Sequence, residues 1–474
     1  MKNTLVKNSI FNALYNVVNT IFPLISVTYA SHILMDTGIG KAVSAQNIAQ
    51  YFVTLAPLGI PNYGIREIAG KRKDKEQKSK IFTELLLLNT ISTFFFVCIY
   101  YMLILFVPVF KQEQKLYIIA GLAIVCNFMN VDWYYQGIEE FKYIATRNFT
   151  VKCITICLLF MGVRKSDDYI VYVLISVLAT MGNYLINVIN LKKYEITFKI
   201  KGFVLIKHIK PICILLATNL AIELYTLLDT TMITIFCPVE NVAYYNNSMK
   251  LVRLLITVIA AFGGVLLPRL SSYYESGEYE KCSEIVNKVF EVMYAMFLPC
   301  GMGLYLISDN LIPILFGNSF TPGIITLKLA TLLIGALGFS NLFGTQILLT
   351  FKSELRLLIC TIVGALSNIC MNLILIPKYQ HNGAVVASVI SEGLVTLVAF
   401  IFSIRYIRFR PNKRIIITTT VTTLFMAMTI LVVNQYINSK ITELIIDILV
   451  GVIAYVGSNF LLKNPVIKNI IQNL

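Results

Sequence analysis

Along this chain, apolar stretches of bilayer-crossing length alternate with short polar connections from Ser9 to Leu462. Ala42–Ile65, Leu85–Phe110, Tyr169–Leu191, Leu329–Phe351, Leu357–Pro377 and Ile415–Ser439 contain no charged residue at all. Each is comparable to the ~20 apolar residues that an α-helix needs to cross ~30 Å of hydrocarbon. Lipid offers the backbone no hydrogen-bond partners, so a series of such stretches predicts helices. The pattern places about fourteen spans, near 9–35, 42–66, 82–109, 116–138, 146–163, 169–191, 211–237, 242–268, 289–308, 323–350, 357–377, 383–404, 415–436 and 444–462. The expected fold is all-α and polytopic. Pro23, Pro57, Pro61 and Pro299 fall inside spans and predict kinks or breaks there.

Composition narrows the picture. Apolar residues make up 57% of the chain and charged residues only 14%, well below the charged share of a soluble domain. The ten cysteines form no C-x-x-C pair and lie mostly in apolar stretches, which points to packing rather than to disulfides or zinc. His32, His208 and His381 have no metal-ligand spacing. No cofactor is expected. The connections are too short to fold as domains, and no catalytic constellation stands out, so an enzyme is not expected either.

The net charge of +15 would suit nucleic acid if it were clustered on a soluble face. It is instead distributed by side of the membrane. Alternate connections and the span ends that adjoin them, together with the two ends of the chain, hold 30 of the 40 Lys and Arg residues. The densest clusters are Arg66–Lys80, Lys192–Lys210 and Arg405–Arg414. This asymmetry follows the positive-inside rule. It predicts a multi-pass protein of the cell membrane with both termini cytoplasmic, and basic loops able to touch anionic lipids but not nucleic acid.

The chain also repeats itself. Asn12, Asn16, Asn19 and Pro23 are answered by Asn219, Glu223, Thr226 and Thr230 at a shift of 207 residues. Asn47, Gln50, Thr54 and Arg66 are answered by Lys250, Arg253, Thr257 and Arg269 at a shift of 203. Gln136 and Phe141-Lys142 return as Gln346 and Phe351-Lys352 at 210. Three matches in the same order at nearly constant shift indicate a duplication. The expected domains are a six-helix lobe over 1–200, a second over 201–405 and two additional spans over 406–474. Parallel repeats of this kind are typical of transporters that alternate access to a central site.

Polar groups within the spans mark candidate sites. Glu223, Asp229, Lys250, Arg253 and Glu392 each cost about 2.5–3.5 kcal/mol at a helix centre, so they either pair between helices or line water. Lys250 and Arg253 stand one turn apart on the face of Asn246 and Thr257. Two such cations suit a diphosphate, and the arginine can engage two oxygens at once. Their counterparts Asn47 and Gln50 are neutral, so a cavity between the lobes is expected to be cationic on its second side. Asn12, Asn16, Asn19 and Asn219 would supply neutral polar contacts. The carboxylates Glu223, Asp229 and Glu392 are candidate sites for a coupling ion.

The run Asp132-Trp133-Tyr134-Tyr135-Gln136-Gly137-Ile138-Glu139, continuing through Tyr143 to Arg147-Asn148, resembles the Wzx-type polysaccharide flippases of the multidrug/oligosaccharidyl-lipid/polysaccharide exporter superfamily. Ala243–Lys250 and Asn372–Glu392, with Pro377 and Gly383-Ala384, are also similar to that superfamily. The resemblance covers about residues 1–405. It implies two six-helix lobes in a V around a hydrated cationic cavity. The implied substrate is an oligosaccharide repeat unit on undecaprenyl pyrophosphate, moved from the cytoplasmic to the outer leaflet for cell-surface polysaccharides such as capsule or O-antigen. The implied drive is H+ or Na+ antiport, and the implied partners are glycosyltransferases and a polysaccharide polymerase. Arg147, at the cytoplasmic mouth, is then a candidate for greeting the pyrophosphate or for anchoring the interface. Two rivals from the same superfamily stay open: a drug or cation antiporter, which Lys250 and Arg253 would repel, and a lipid II flippase.

Overall fold

The computed structural model describes residues 2–72, 74–194, 205–263, 266–437 and 439–465; side chains are not described for 2–20, 258–263, 266–269 and several positions of 218–225. All described regular structure is helical. The chain forms α1 (Lys2–Leu55), α2 (Ile60–Gly70), α3 (Lys75–Phe106), α4 (Gln114–Cys126), α5 (Asp132–Gly137), α6 (Phe141–Gly162), α7 (Tyr169–Asn190) and α8 (Ile206–Phe236). It continues with α9 (Glu240–Gly263), α10 (Leu266–Glu275), α11 (Tyr279–Phe316), α12 (Gly323–Ala330), α13 (Leu332–Ser340), a π-helical segment Asn341–Leu348, α14 (Glu354–Ser403), α15 (Lys413–Asn434) and α16 (Lys440–Leu461). Among the described residues, eight helices are long and apolar enough to cross a membrane. Each predicted span falls on helix, so the all-α polytopic reading stands.

Helices and predicted spans do not correspond one to one, for identifiable reasons. α1 carries two spans joined without a loop at Met35, whose φ of 57° lies in the left-handed region. α14 likewise joins two spans at Gln380, with φ of 51°. The span predicted over 42–66 is broken: α1 stops at Leu55, Ala56–Gly59 turn, and α2 begins with Pro61 in its first turn, where a missing N–H costs nothing. Gly59 is required there because a Cβ would lie 2.3 Å from the Ile212 carbonyl oxygen of α8. The close approach, more than the prolines alone, fixes the break.

The chain packs as two compact units, Met1–Thr234 and Ile235–Leu474. This division differs from the boundaries at 200 and 405 expected from the repeat. α8 packs with the first unit because it is tied to α1, α2 and α3 by the hydrogen bonds described below. α15 and α16 do not stand apart either. They pack on α11 within the second unit, where the Tyr455 hydroxyl donates to the Ala295 carbonyl at 2.6 Å and Tyr294 meets Thr420 at 3.0 Å.

Among the described residues, the first unit shows two apolar cores. In one, Ala42, Ala45, Ala49 and Ala56 of α1 and its following turn face Tyr100, Ile104, Tyr117 and Ala120, a small-residue stripe that lets helices approach closely. In the other, Trp133, Tyr134 and Tyr135 of the short α5 pack on Ile60, Ile68, Phe82 and Leu85. Gly64 makes room for the Trp133 ring, which a Cβ would meet at 2.5 Å. Both units expose large apolar side chains, Phe94 and Phe106 in the first and Met428 and Ile453 in the second, as lipid-facing helices do.

Candidate functional site: polar groups inside the spans

In the first unit, the polar residues of the second half of α1 face α8 as a seam. Thr234 donates to Ser44 at 3.2 Å, Asn47 donates to Thr231 at 2.7 Å, and Tyr51 meets the same Thr231 oxygen at 2.7 Å. Gln50 donates to Glu223 at 3.2 Å, and Asn62 of α2 donates to Asn219 at 3.3 Å. The neutral Asn47 and Gln50, singled out as counterparts of Lys250 and Arg253, are thus hydrogen-bond partners of α8. Glu223 remains half-buried, and Asp229 is buried one and a half turns further along α8. Asn12, Asn16 and Asn19 lie on α1, and their side chains fall outside the described residues.

The seam ends in a cluster that sequence reasoning passed over. Glu84 of α3 is fully buried, and its Oε2 lies 2.8 Å from Nε2 of His208, which is also buried. The other ring nitrogen of His208 meets the Tyr63 hydroxyl of α2 at 2.8 Å, and Lys207 reaches Glu84 at 3.2 Å from a half-exposed position. Three helices are thereby joined by groups that buried alone would be costly. The only sequence signal was a carboxylate near the basic end of a span. Its partner is 124 residues away.

Arg147 is accounted for by its own neighbourhood. It is buried, its Nη1 contacts Asp132 at 2.6 Å and Asn187, and Asn187 also donates to Asp132. The triad ties α5, α6 and α7 together at the family-like motif. Its Nη1 is held by the Asp132 carboxylate and the Asn187 amide oxygen, while its Nε is buried without a hydrogen-bond partner among the described residues.

In the second unit, α9 carries Asn246, Lys250 and Arg253. Asn246 donates to the Val242 carbonyl at 3.0 Å. Lys250 is half-buried and Arg253 exposed, close enough for their charges to repel. Among the described residues neither belongs to an ion pair, whereas Lys41, Arg72, Arg147, Lys207, Lys281 and Lys328 do. Glu392 of α14 is buried and accepts from Ser340 at 3.2 Å. A further carboxylate within a span, Asp447 of α16, is buried and accepts from Asn434 at 3.3 Å. Among the described residues no group of His, Cys, Asp and Glu is arranged to hold a metal.

The sequence model of the family described as polysaccharide biosynthesis protein matches residues 5–274, more than half of the chain. The chain belongs to this family. It lies in the multidrug/oligosaccharidyl-lipid/polysaccharide exporter superfamily, and a second model, described as lipid II flippase MurJ, matches residues 141–450. A probable low-salt glycan biosynthesis flippase, Agl15 of Haloferax volcanii, is 20% identical over 257 residues, 53% of each chain. An uncharacterized membrane protein of Methanocaldococcus jannaschii is 25% identical over 236 residues, 48% of this chain and 45% of its own length. The chain thus spans about half the length of the curated relatives it matches. Among solved structures, an inward closed lipid II flippase MurJ superposes with a TM-score of 0.75 at 15% identity, covering 98% of this chain and 100% of its own. An inward-facing multidrug resistance transporter of the MATE family gives 0.62 at 14% identity, covering 83% and 93%. At such identities the likeness shows the fold.

Proposed function

We propose that this protein is a flippase for a saccharide carried on a polyprenyl diphosphate, and specifically for undecaprenyl-pyrophosphate-linked oligosaccharide repeat units used in cell-surface polysaccharide assembly. The observation that carries the reading is the pair Lys250 and Arg253, one turn apart on α9 and without an ion-pair partner among the described residues. Two uncompensated cations within a span cost several kcal/mol on insertion scales. A diphosphate that meets them offsets that cost only while substrate is bound. Asn246, with Asn12, Asn16, Asn19 and Asn219, would contact the neutral sugars through hydrogen bonds that discriminate little among glycans.

Alternating access would then be driven by H+ or Na+ at Glu223, Asp229 or Glu392. Among the described residues Glu223 accepts a 3.2 Å bond from Gln50, and Glu392 accepts a 3.2 Å bond from Ser340. Parallel six-helix repeats over 1–200 and 201–405, with 406–474 added, remain the proposed ancestry. The proposed setting is the cell membrane with cytoplasmic termini, and the proposed partners are glycosyltransferases and a polysaccharide polymerase.

The test is export of lipid-linked oligosaccharide in cells carrying Lys250→Ala, Arg253→Ala or both, with membrane levels measured in parallel. Loss of export at normal levels is expected, and normal export in all three discards the reading. The match to the lipid II flippase model over 141–450 favours a second reading with the same diphosphate chemistry. Restoration of peptidoglycan synthesis in cells depleted of their own lipid II flippase would select it.

A further inference from the structure

The connection between α14 and α15 is a strap bound along α11. The Arg408 N–H donates to Ser283 at 3.0 Å, the Arg410 N–H to Asn287 at 2.9 Å and the Asn412 N–H to Glu291 at 2.7 Å. Asn287 also donates back to the Arg408 carbonyl at 3.0 Å. Ser283, Asn287 and Glu291 recur every four residues on a helix, a rise of about 6 Å, while alternate residues of extended chain advance about 6.6 Å. The two spacings match, so every rung can form. Alternation also sorts the side chains: Ile407 is buried, Phe409 packs edge-on against Phe290 and Phe400, and Arg408 and Arg410 point out, exposed.

The strap borders a cavity of about 490 Å3 whose lining includes Arg405, Arg408, Arg410, Glu280, Glu284 and Tyr279. None of the three arginines belongs to an ion pair among the described residues. They lie between the ends of two apolar spans, beside exposed Ile404 and Tyr279, the kind of side chains that flank a membrane–water interface.

We propose that this cavity seats the headgroup of an anionic phospholipid of the phosphatidylglycerol class. The arginines take the phosphate, and Glu280 and Glu284 accept from the glycerol hydroxyls. Three guanidinium groups against two carboxylates leave a formal charge of +1, which one phosphodiester neutralises. A zwitterionic ethanolamine headgroup, with no net charge, leaves that +1 uncompensated. The proposal requires only that the protein sits in a membrane, so it stands or falls independently of the transported substrate.

Native mass spectrometry of the full-length protein, offered equal phosphatidylglycerol and phosphatidylethanolamine, tests it. Wild type is expected to retain phosphatidylglycerol preferentially, and Arg405→Gln/Arg408→Gln/Arg410→Gln to lose about tenfold in occupancy. The matching triple lysine variant should retain part of the preference, and Lys71→Gln/Lys75→Gln/Lys80→Gln all of it. The strap is held through backbone N–H groups, so these replacements spare its rungs. Equal retention of both lipids by wild type, unchanged occupancy in the glutamine variant, or displacement by millimolar inorganic phosphate would overturn the assignment.

Discussion

Nε2 of His208 lies 2.8 Å from Oε2 of Glu84, and both side chains are closed off from solvent. The pair fastens the start of α8 to α3, with Tyr63 of α2 completing the chain at 2.8 Å. It explains why α8 packs with the first unit although the repeat assigns it to the second.

Removing one partner of a buried pair leaves the other uncompensated, a loss of about 3 kcal/mol or more. Lys207 still reaches Glu84 at 3.2 Å, so His208→Leu should fall at the lower end. Tyr63→Phe should cost about 1 kcal/mol, one hydrogen bond, and Lys207→Gln, on a half-exposed side chain, less again. Thermal unfolding in detergent ranks the three. Equal losses, or the largest from Lys207→Gln, would contradict the cluster.

Arg147 and Asp132 should behave as a structural couple. Asp132→Asn and Arg147→Gln are expected to destabilise the protein similarly, with a coupling of about 1–3 kcal/mol in a double-mutant cycle. Were Arg147 to contact substrate instead, Arg147→Gln would lower transport at unchanged stability and Asp132→Asn would be neutral.

The turn at Asp168 supplies a pH dependence. Its carboxylate accepts from the Arg164 and Lys165 N–H groups at 2.9 and 2.8 Å, and these bonds hold its pKa below the ordinary value of 3.8. A depressed carboxylate contributes stability above its unfolded pKa and loses it as pH falls through the lower folded value. Asp168→Ala should therefore speed amide exchange at Arg164 and Lys165 at neutral pH, and the difference from wild type should shrink below about pH 4. A difference that persists in strong acid would show that charge plays no part.

The resemblance in Asp132–Asn148 was legible because its residues are contiguous, and their packing follows from that motif: Trp133, Tyr134 and Tyr135 fill a core, and Arg147 meets Asp132 fifteen residues earlier. The roles of Asn47 and Gln50 were not. Periodicity placed them on one face of a helix, but only the fold shows that α8 occupies that face. Asp447 went unnoticed inside a strongly apolar span, where hydropathy averages over single charges.

Hydrophobic length by itself determined that this chain is a set of membrane helices, because a backbone in lipid must bond to itself over a fixed thickness. The ordering of charge and the residue matches at shifts of 203 to 210 likewise needed no coordinates. Tertiary structure decided where the helices break and which polar groups meet: Gly59 against the Ile212 carbonyl, Glu84 with His208, and the Arg408–Asn412 strap on α11. These depend on contacts between residues more than a hundred positions apart, and pattern along a chain carries no information about which distant face comes to lie opposite.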